Sequence, residues 1–294
     1  MLSTIFEVDP SLANPDDLKY DDVLAASARK QYAQDRTGPL SLLPCSVCYL
    51  PLSKVIPADT LAAIVAKTGD LTCGPTEHMS IMQGRFAGDR NLGQIEYIFD
   101  LGNWSQYFQP DPSNGKKYGT MLQMLQYPYS RGSVHIRPPA AESTRTSSSP
   151  TAPDKPIIDP GYYAGPHGEL DLDIMTHCAR FAHTISRTSP LSDIVRGPAS
   201  PATSDDDSLL RDWVVNNTVT DWHPVGTCSM GGRGGISAGV VDERLRVYGV
   251  KGLRVADASI MPLQISAHLQ ATVYAIAEKA AHMILEDVVN ETKG

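Results

Sequence analysis

The sequence predicts an α+β chain, in which an antiparallel sheet carries flanking helices. Three observations predict it. First, β-rich runs at 93–101 (LGQIEYIFD), 120–127 (TMLQMLQY) and 131–137 (RGSVHIR) come in succession, the order of antiparallel neighbours and not of βαβ units. Second, Leu170, Ile174, Cys178, Phe181 and Ile185 recur at helical spacing, which predicts an amphipathic helix over about 168–187. Third, Leu269, Val273, Ile276, Ala280 and Ile284 form the same kind of stripe and predict a closing helix over about 269–287.

The remaining elements follow in order. Residues 1–36 read as helical and polar, with DDVLAASARKQYAQ the clearest amphipathic piece. TGPLSLLPCSVCYLPLS is broken by Gly and Pro into loop and short strands. PADTLAAIVAKTG reads as a short helix capped by Asp59 or Thr60 and ended by Gly69. The stretch 138–156, crowded with Ser, Thr and Pro, has too little apolar content to offset the entropy of ordering, and predicts a mobile surface loop. RGPASPATSDDDS is expected to be a second loop, leading into a helix at LLRDWVVNNTV whose Asp-rich start suits an N-terminus. GLRVADAS reads as a short buried strand over 253–257. His177 and His183 fall off the stripe of their helix and read as solvated or capping residues.

Bulk composition narrows the function classes. With 294 residues, 41% of them hydrophobic, the chain can bury a core in one or two domains. Its formal charge of −8 and the lack of any Lys/Arg-rich run argue against nucleic acid or an anionic membrane as partner. No apolar run approaches the roughly 20 residues that span a bilayer. The start lacks the basic and apolar blocks of a secretory signal, so the compartment stays open, secretion of a longer parent included. Cys45, Cys48, Cys73, Cys178 and Cys228 are too scattered for a disulfide framework. Cys45 and Cys48 form a CxxC, redox-active or two ordinary thiols, and no second CxxC or His pair completes a metal site.

Chemistry concentrates after residue 220. His223 lies in W-H-P-V-G-T, between an aromatic residue and a proline. It reads as a structural loop histidine or as a general base. Gly226, Gly231, Gly232, Gly234 and Gly235 would let the backbone pass close to something flat or bulky. Asp257 and Ala258 close the 253–257 strand, as a simple helix cap or as the edge of a cofactor site. His268 stands just before the closing helix, either with one local hydrogen bond or as a proton acceptor for an alcohol.

The order H-P-V-G-T-C-x-M-G, then V-V-D-x-R-L-R-V-x-G-V-x-G-L-R-V-A-D-A-S-I-M-P, then a histidine and an A-x-A-E-K-A-A helix resembles the C-terminus of glucose–methanol–choline (GMC) oxidoreductases. The match runs from about 222 to 286. A weaker one takes in SRGSVHIR, PIIDPGYY and the upstream helix and, before them, TGPLSLLPCSVCYLPLS. The resemblance implies oxidation of a small-molecule alcohol or sugar with FAD as hydride acceptor. His223 and His268 would be the catalytic pair, and Trp222, Asp257, Ala258, Leu269 and Gln270 would border the flavin. It also implies a substrate-binding part over 1–239, with its catalytic loop at 221–235, and an incomplete α/β piece of an FAD-binding domain over 240–294. The family's N-terminal strand, G-x-G-x-x-G turn and helix, which hold the pyrophosphate, have no counterpart in the sequence. The chain therefore reads as a fragment, a truncated gene model or a genuinely short protein. It would need the missing N-terminal half, in cis or in trans, to bind FAD tightly. The competing reading is a flavin-free remnant that binds a small molecule or does acid–base chemistry with the same histidines.

Overall fold

A computed structural model describes residues 1–42, 45–69, 76–86, 91–136, 155–203 and 205–291. Most of the 138–156 stretch expected to be a surface loop, and Cys73, lie outside the described residues. The chain divides into two compact units. The first comprises 1–70, 81–127 and 172–222; the second comprises 71–80, 128–171 and 223–294.

The first unit is built on a five-stranded antiparallel sheet of β1 (Leu2–Val8), β2 (Cys45–Leu50), β3 (Ile95–Leu101), β4 (Lys117–Leu125) and β7 (Val195–Ser200). Its order is β2-β3-β4-β1-β7. Two of the β-rich runs therefore sit where the sequence places them. The N-terminus does not. Leu2–Val8 is a strand between β4 and β7, with Leu2, Ile5, Phe6 and Val8 fully buried. The polar residues downstream masked this run; LSTIFEV taken alone is β-branched and aromatic enough for an interior strand. Complete burial of each such side chain is worth about 1.5–3 kcal/mol. The expected loop at RGPAS is also a strand, β7, although it contains Pro198. An edge strand tolerates a residue that cannot donate to a ladder, and β7 is an edge, with its register to β1 shifted at two places.

Helices flank this sheet. One-turn α1 (Asp17–Tyr20) leads into α2 (Asp22–Asp35), where only Ala25 and Ala28 are buried. Helix α3 (Ala58–Thr68) ends at Gly69 as expected, but Pro57 occupies its N-cap and makes no side-chain cap bond; Asp59 lies in its first turn, where the helix dipole favours a carboxylate. Helix α6 (Asp207–Asn217) is capped by Asp206, which accepts the Leu209 N–H at 2.9 Å. Helix α4 (Thr76–Phe86) and helix α5 (Gly165–Ser186) each contribute residues to both units.

In its first-unit part, α5 buries Ile174, Cys178, Ala179 and Ala182, while Phe181 and Ile185 are only half-buried. A spacing of four over-runs a 3.6-residue turn, so the buried face drifts around the helix. That drift carries His183 into the core. It is 1% exposed, edge-on to Phe6 with ring centroids 5.4 Å apart, and neither ring nitrogen has a hydrogen-bond partner. The expected solvated or capping histidine is thus a buried one. Cys178 accepts the Tyr97 hydroxyl at its carbonyl, 3.0 Å.

The CxxC question is settled by the sheet. Cys45 and Cys48 are free thiols on β2. Three residues apart on one strand, they point to opposite faces, with Cα atoms about 10 Å apart at strand rise, beyond any disulfide. They are two ordinary thiols.

In the second unit, β5 (Ser133–His135) pairs with β6 (Ile157–Asp159) as a two-stranded antiparallel ribbon. The buried Asp171 carboxylate accepts the N–H groups of Tyr129 and Ser130 at 2.8 and 2.7 Å, and the Ser130 hydroxyl. Burial pushes this carboxyl up to about 6, against those hydrogen bonds and the nearby Arg131. The closing helix α7 (Gln270–Glu291) packs Val273, Ile276, Ala280 and Met283 against a core of Val241, Leu245, Ile260, Met261 and Leu269. The expected stripe holds, except that Met283 takes the inner place and Ile284 is exposed. No helix among the described residues is long and apolar enough to cross a membrane.

Burial pushes the His183 imidazole down to about 4, with Arg187 adding to the shift and Asp205 opposing it. Its folded value lies below the unfolded 6.5, so its neutral form stabilises the fold above pH 6.5, and that contribution is lost as pH falls toward 4. Linkage gives a loss of about 2 kcal/mol between pH 7.5 and pH 5. Urea midpoints at the two pH values should show this loss in the wild type, and His183→Leu should remove that part of it. An identical pH dependence in both proteins would refute the account.

Candidate active site

An apolar cluster around Val241, Leu245, Ile260, Met261 and Leu269 and a set of backbone hydrogen bonds shape the second unit around the segment 223–269. Gly226 has φ +87, a left-handed conformation natural to glycine, and a Cβ there would stand 3.4 Å from the Met261 carbonyl. Beyond it the chain runs against the 258–262 segment: Cys228 N–H donates to Ser259 at 3.0 Å and Met230 N–H to Ile260 at 2.9 Å. Val240 N–H returns to Ser229 at 2.8 Å, and Met230 bridges Val241. The glycines of this stretch serve the chain's own turn. A Cβ at Gly231 would meet the Gly235 carbonyl at 2.1 Å, and one at Gly239 would meet Gly231 N at 2.4 Å. Gly232 and Gly235 have positive φ and open space around them. Close approach to a bulky ligand is therefore not what fixes Gly231.

The expected buried strand 253–257 is a correction. Arg254 bridges Arg246, and Val255 N–H donates to Leu245 at 3.1 Å, but Leu253, Ala256 and Asp257 are exposed and no ladder forms. The cause is a missing neighbour: among the described residues this segment pairs only along the 245–247 side, and a strand with one partner and one exposed face gains too little to extend. Arg254 and Arg244 both ion-pair with Asp287 near the end of α7, and Arg244 also donates to the Met283 carbonyl at 3.0 Å. Asp257 acts as a cap, accepting Ser259 N–H at 2.8 Å at the start of a short 3₁₀ turn over Ala258–Ile260.

The two histidines meet. The His223 and His268 rings are 5.5 Å apart between centroids and stand edge to face at 72°. An imidazole nitrogen reaches a hydrogen-bonded oxygen about 4 Å from its ring centre, so both rings can contact one oxygen. His223 is half-buried and His268 exposed. Leu269 beside it is 5% exposed and rooted in the core, which fixes the start of α7 and leaves only its backbone available to a ligand. Gln270 is exposed, Asp257 exposed and Ala258 half-buried. Trp222, the residue before His223, has φ +55 and a largely exposed indole.

One residue escaped the sequence reading. Gln264 Nε2 donates to the His223 carbonyl at 3.1 Å, and its Oε1 accepts Ile265 N–H at 3.2 Å. The available signal was a glutamine between two apolar residues, Leu263 and Ile265, a polar side chain where the pattern expects core. Among the described residues no group of three or more His, Cys, Asp or Glu is placed to hold a metal ion.

Comparison with known proteins identifies the family. The family model for the C-terminal region of GMC oxidoreductases matches residues 128–277. A dehydrogenase of Monascus ruber is 31% identical over 310 residues, which is 98% of this chain and 46% of that protein. The GMC oxidoreductase family protein Mala s 12 of Malassezia sympodialis is 39% identical over 165 residues, 55% of this chain and 24% of its own. Among solved structures, formate oxidase of Aspergillus oryzae superposes with a TM-score of 0.71 at 24% identity, covering 97% of this chain and 46% of that one. A fungal aryl-alcohol oxidase gives a TM-score of 0.62 at 23% identity, covering 98% and 48%. The two structures establish the fold as that of the corresponding part of these enzymes. The chain spans about half the length of the Monascus relative and of both enzymes.

The loop that carries His223 depends on backbone passing backbone at Gly239, where a Cβ would stand 2.4 Å from Gly231 N and 2.5 Å from Ser229 O. Backbone cannot swing aside as a side chain can, so Gly239→Ala is expected to destabilise the chain by about 1–3 kcal/mol, the usual cost of overpacking. Urea unfolding followed by circular dichroism measures it; an unchanged midpoint would show that the turn adapts.

Proposed function

The chain belongs to the GMC oxidoreductase family, and from that premise we propose that it is the C-terminal catalytic portion of an FAD-dependent enzyme oxidising the CH–OH group of an alcohol or sugar. The observation that carries the proposal is the pairing of His223 with His268, 5.5 Å apart. The substrate hydroxyl oxygen sits between the two rings. His223 accepts the hydroxyl proton as the C–H bond gives up hydride, and His268 donates a hydrogen bond to the same oxygen as negative charge develops on it. FAD, when bound, supplies the hydride acceptor.

The residues present fit one rim of such a group. Exposed Asp257 and Gln270, half-buried Ala258 and the exposed Trp222 are the side chains assigned to it, with backbone at Leu269. The first-turn N–H groups of a 22-residue helix have no acceptor within the helix and suit a carbonyl oxygen. In this reading residues 1–239 form the substrate-binding part and 240–294 the C-terminal piece of the FAD-binding domain. The partner is the other half of the family's chain, joined covalently or supplied as a second polypeptide. Support comes from the outer side of α7. Tyr274, Ile284, Leu285 and Val288 are 43–67% exposed there, on the flank next to the stripe that is already buried. A broad apolar surface that extends beyond the buried stripe suits a further packing partner.

The isolated chain is expected to purify without tightly bound FAD and without alcohol oxidation, because it offers no Gly-rich turn and helix for the pyrophosphate. Joining the chain to the N-terminal half of a relative should restore flavin absorbance and activity. In that restored enzyme His223→Ala should slow oxidation by roughly 10²–10⁴-fold, the range for a positioned general base. Equimolar flavin in the isolated chain would overturn the dependence on a second half. Wild-type turnover in the His223→Ala enzyme would overturn the mechanism.

A further inference from the structure

We propose that Asn216 is an acceptor for an N-linked glycan and that Asn103 is not. Asn-x-Ser/Thr, the acceptor motif of N-glycosylation, begins at Asn103, Asn216 and Asn290. Thr292, which completes the third, lies outside the described residues, so the structure bears on the first two. It presents them in opposite ways, and the inference does not depend on the flavin chemistry.

Asn103 lies in the turn after β3, and its side chain closes that turn from both ends of the amide. Oδ1 accepts the Ser105 N–H at 3.0 Å, and Nδ2 donates to the Phe108 carbonyl at 2.9 Å. The Asn103 N–H donates to Asp16 at 2.7 Å, which fastens the turn to a second segment. The Ser105 hydroxyl, the last member of the motif, accepts the Tyr107 and Phe108 N–H groups, both at 3.2 Å. Asn103 is half-buried. A sugar on Nδ2 takes one amide hydrogen and sets a bulky ring where the side chain meets the Phe108 carbonyl, so glycosylation there works against closure of the turn.

Asn216 lies on the outer face of α6. Leu210 and Val214 form the inner face, 1% and 0% exposed, and Asn216, two positions on from Val214, is turned about 200° away from it. Leu209, seven positions earlier and on the same face as Asn216, is 61% exposed, so this side of the helix is uncovered among the described residues. Asn216 is itself exposed, and its Nδ2 donates to the Asp212 carbonyl at 2.8 Å on the helix surface, where water replaces a lost bond at little cost. Thr218, which completes this motif, follows the helix in extended backbone. The co-reactant is a lipid diphosphate-linked oligosaccharide. Nδ2 attacks its anomeric carbon; the C–N bond forms, the bond from that carbon to the phosphate oxygen breaks, and the lipid diphosphate leaves with the electron pair while the amide gives up one proton.

The chain is made behind a cleavable leader in a eukaryotic secretory host, and its soluble fraction is treated with a peptide N-glycosidase, which leaves Asp where a glycan stood. Mass spectrometry should find that conversion at 216 and none at 103, and Asn216→Gln should abolish the gel shift from that site. An unmodified Asn216, or a glycan on Asn103 in soluble material, overturns the proposal. If the chain alone yields no soluble material, the same reading is taken on the chain joined to the N-terminal half of a relative, with the same outcomes deciding. The physical reason is tested on glycan-free chain made in bacteria. Asn103→Gln should lower the urea midpoint, and Asn216→Gln should leave it unchanged; equal midpoints for the two variants refute the distinction. Where Asn103→Gln does not fold, Asn103→Asp takes its place, keeping the acceptor for Ser105 and losing the donor to Phe108.

Discussion

The chemistry of the second unit depends on one encounter of main chain, residues 226–230 against 258–262. The hydrogen bonds from Cys228 and Met230 to Ser259 and Ile260 satisfy main-chain groups beside Ile260 and Met261, which enter the core. From it everything else follows by reach. The chain before 226 is delivered to one side, the chain after 262 to the same side, and two histidines separated by forty-four intervening residues of sequence come within one oxygen's width of each other. Gly226, with φ +87, lies on that encounter, while Gly231 and Gly239 serve the turn that follows it, where backbone meets backbone of the same loop.

A second constraint is the division of labour on α7. One face closes the core through Val273, Ile276, Ala280 and Met283, and the C-terminal turn is held by Arg244 and Arg254 on Asp287. The ion pairs are partly exposed and individually weak; what they contribute is direction, since both arginines come from the hairpin that the 241–255 segment makes on itself. The helix and the hairpin are thus tied together just beyond His268, while Tyr274, Leu285 and Val288 are exposed.

Much of this was legible in the sequence, for reasons that differ by element. Strands β3 and β4 and helices α5 and α7 announce themselves because period and burial coincide over seven or more residues. The histidine pair was legible through the resemblance, not through spacing, since nothing local distinguishes His223 from a loop histidine. Strand β1 was lost because its seven residues precede a long polar stretch that dominates any window. Strand β7 was lost because proline is punctuation almost everywhere except at a sheet edge. His183 was misread because an ideal spacing of four drifts off a real helix. The 253–257 strand failed for the opposite reason: its local sequence is a good strand, and the partners that would extend it are absent among the described residues. Gln264 was invisible because its role lies in a contact forty-one positions away.

The edges of the five-stranded sheet are unequal. On the β7 side the ladder to β1 is broken by two register shifts, and Pro198 lacks a donor, so the outermost row of peptide groups is neither straight nor complete. On the β2 side the strand is regular over Cys45–Leu50, with Val47 half-exposed. A sheet with one irregular edge and one regular edge can accept an added strand on one side only. If two copies joined through β2, each would present the other with its blocked edge outward, and growth would close at a pair. Proline and bulge at one margin therefore make β7 a poorer template for an added strand than β2.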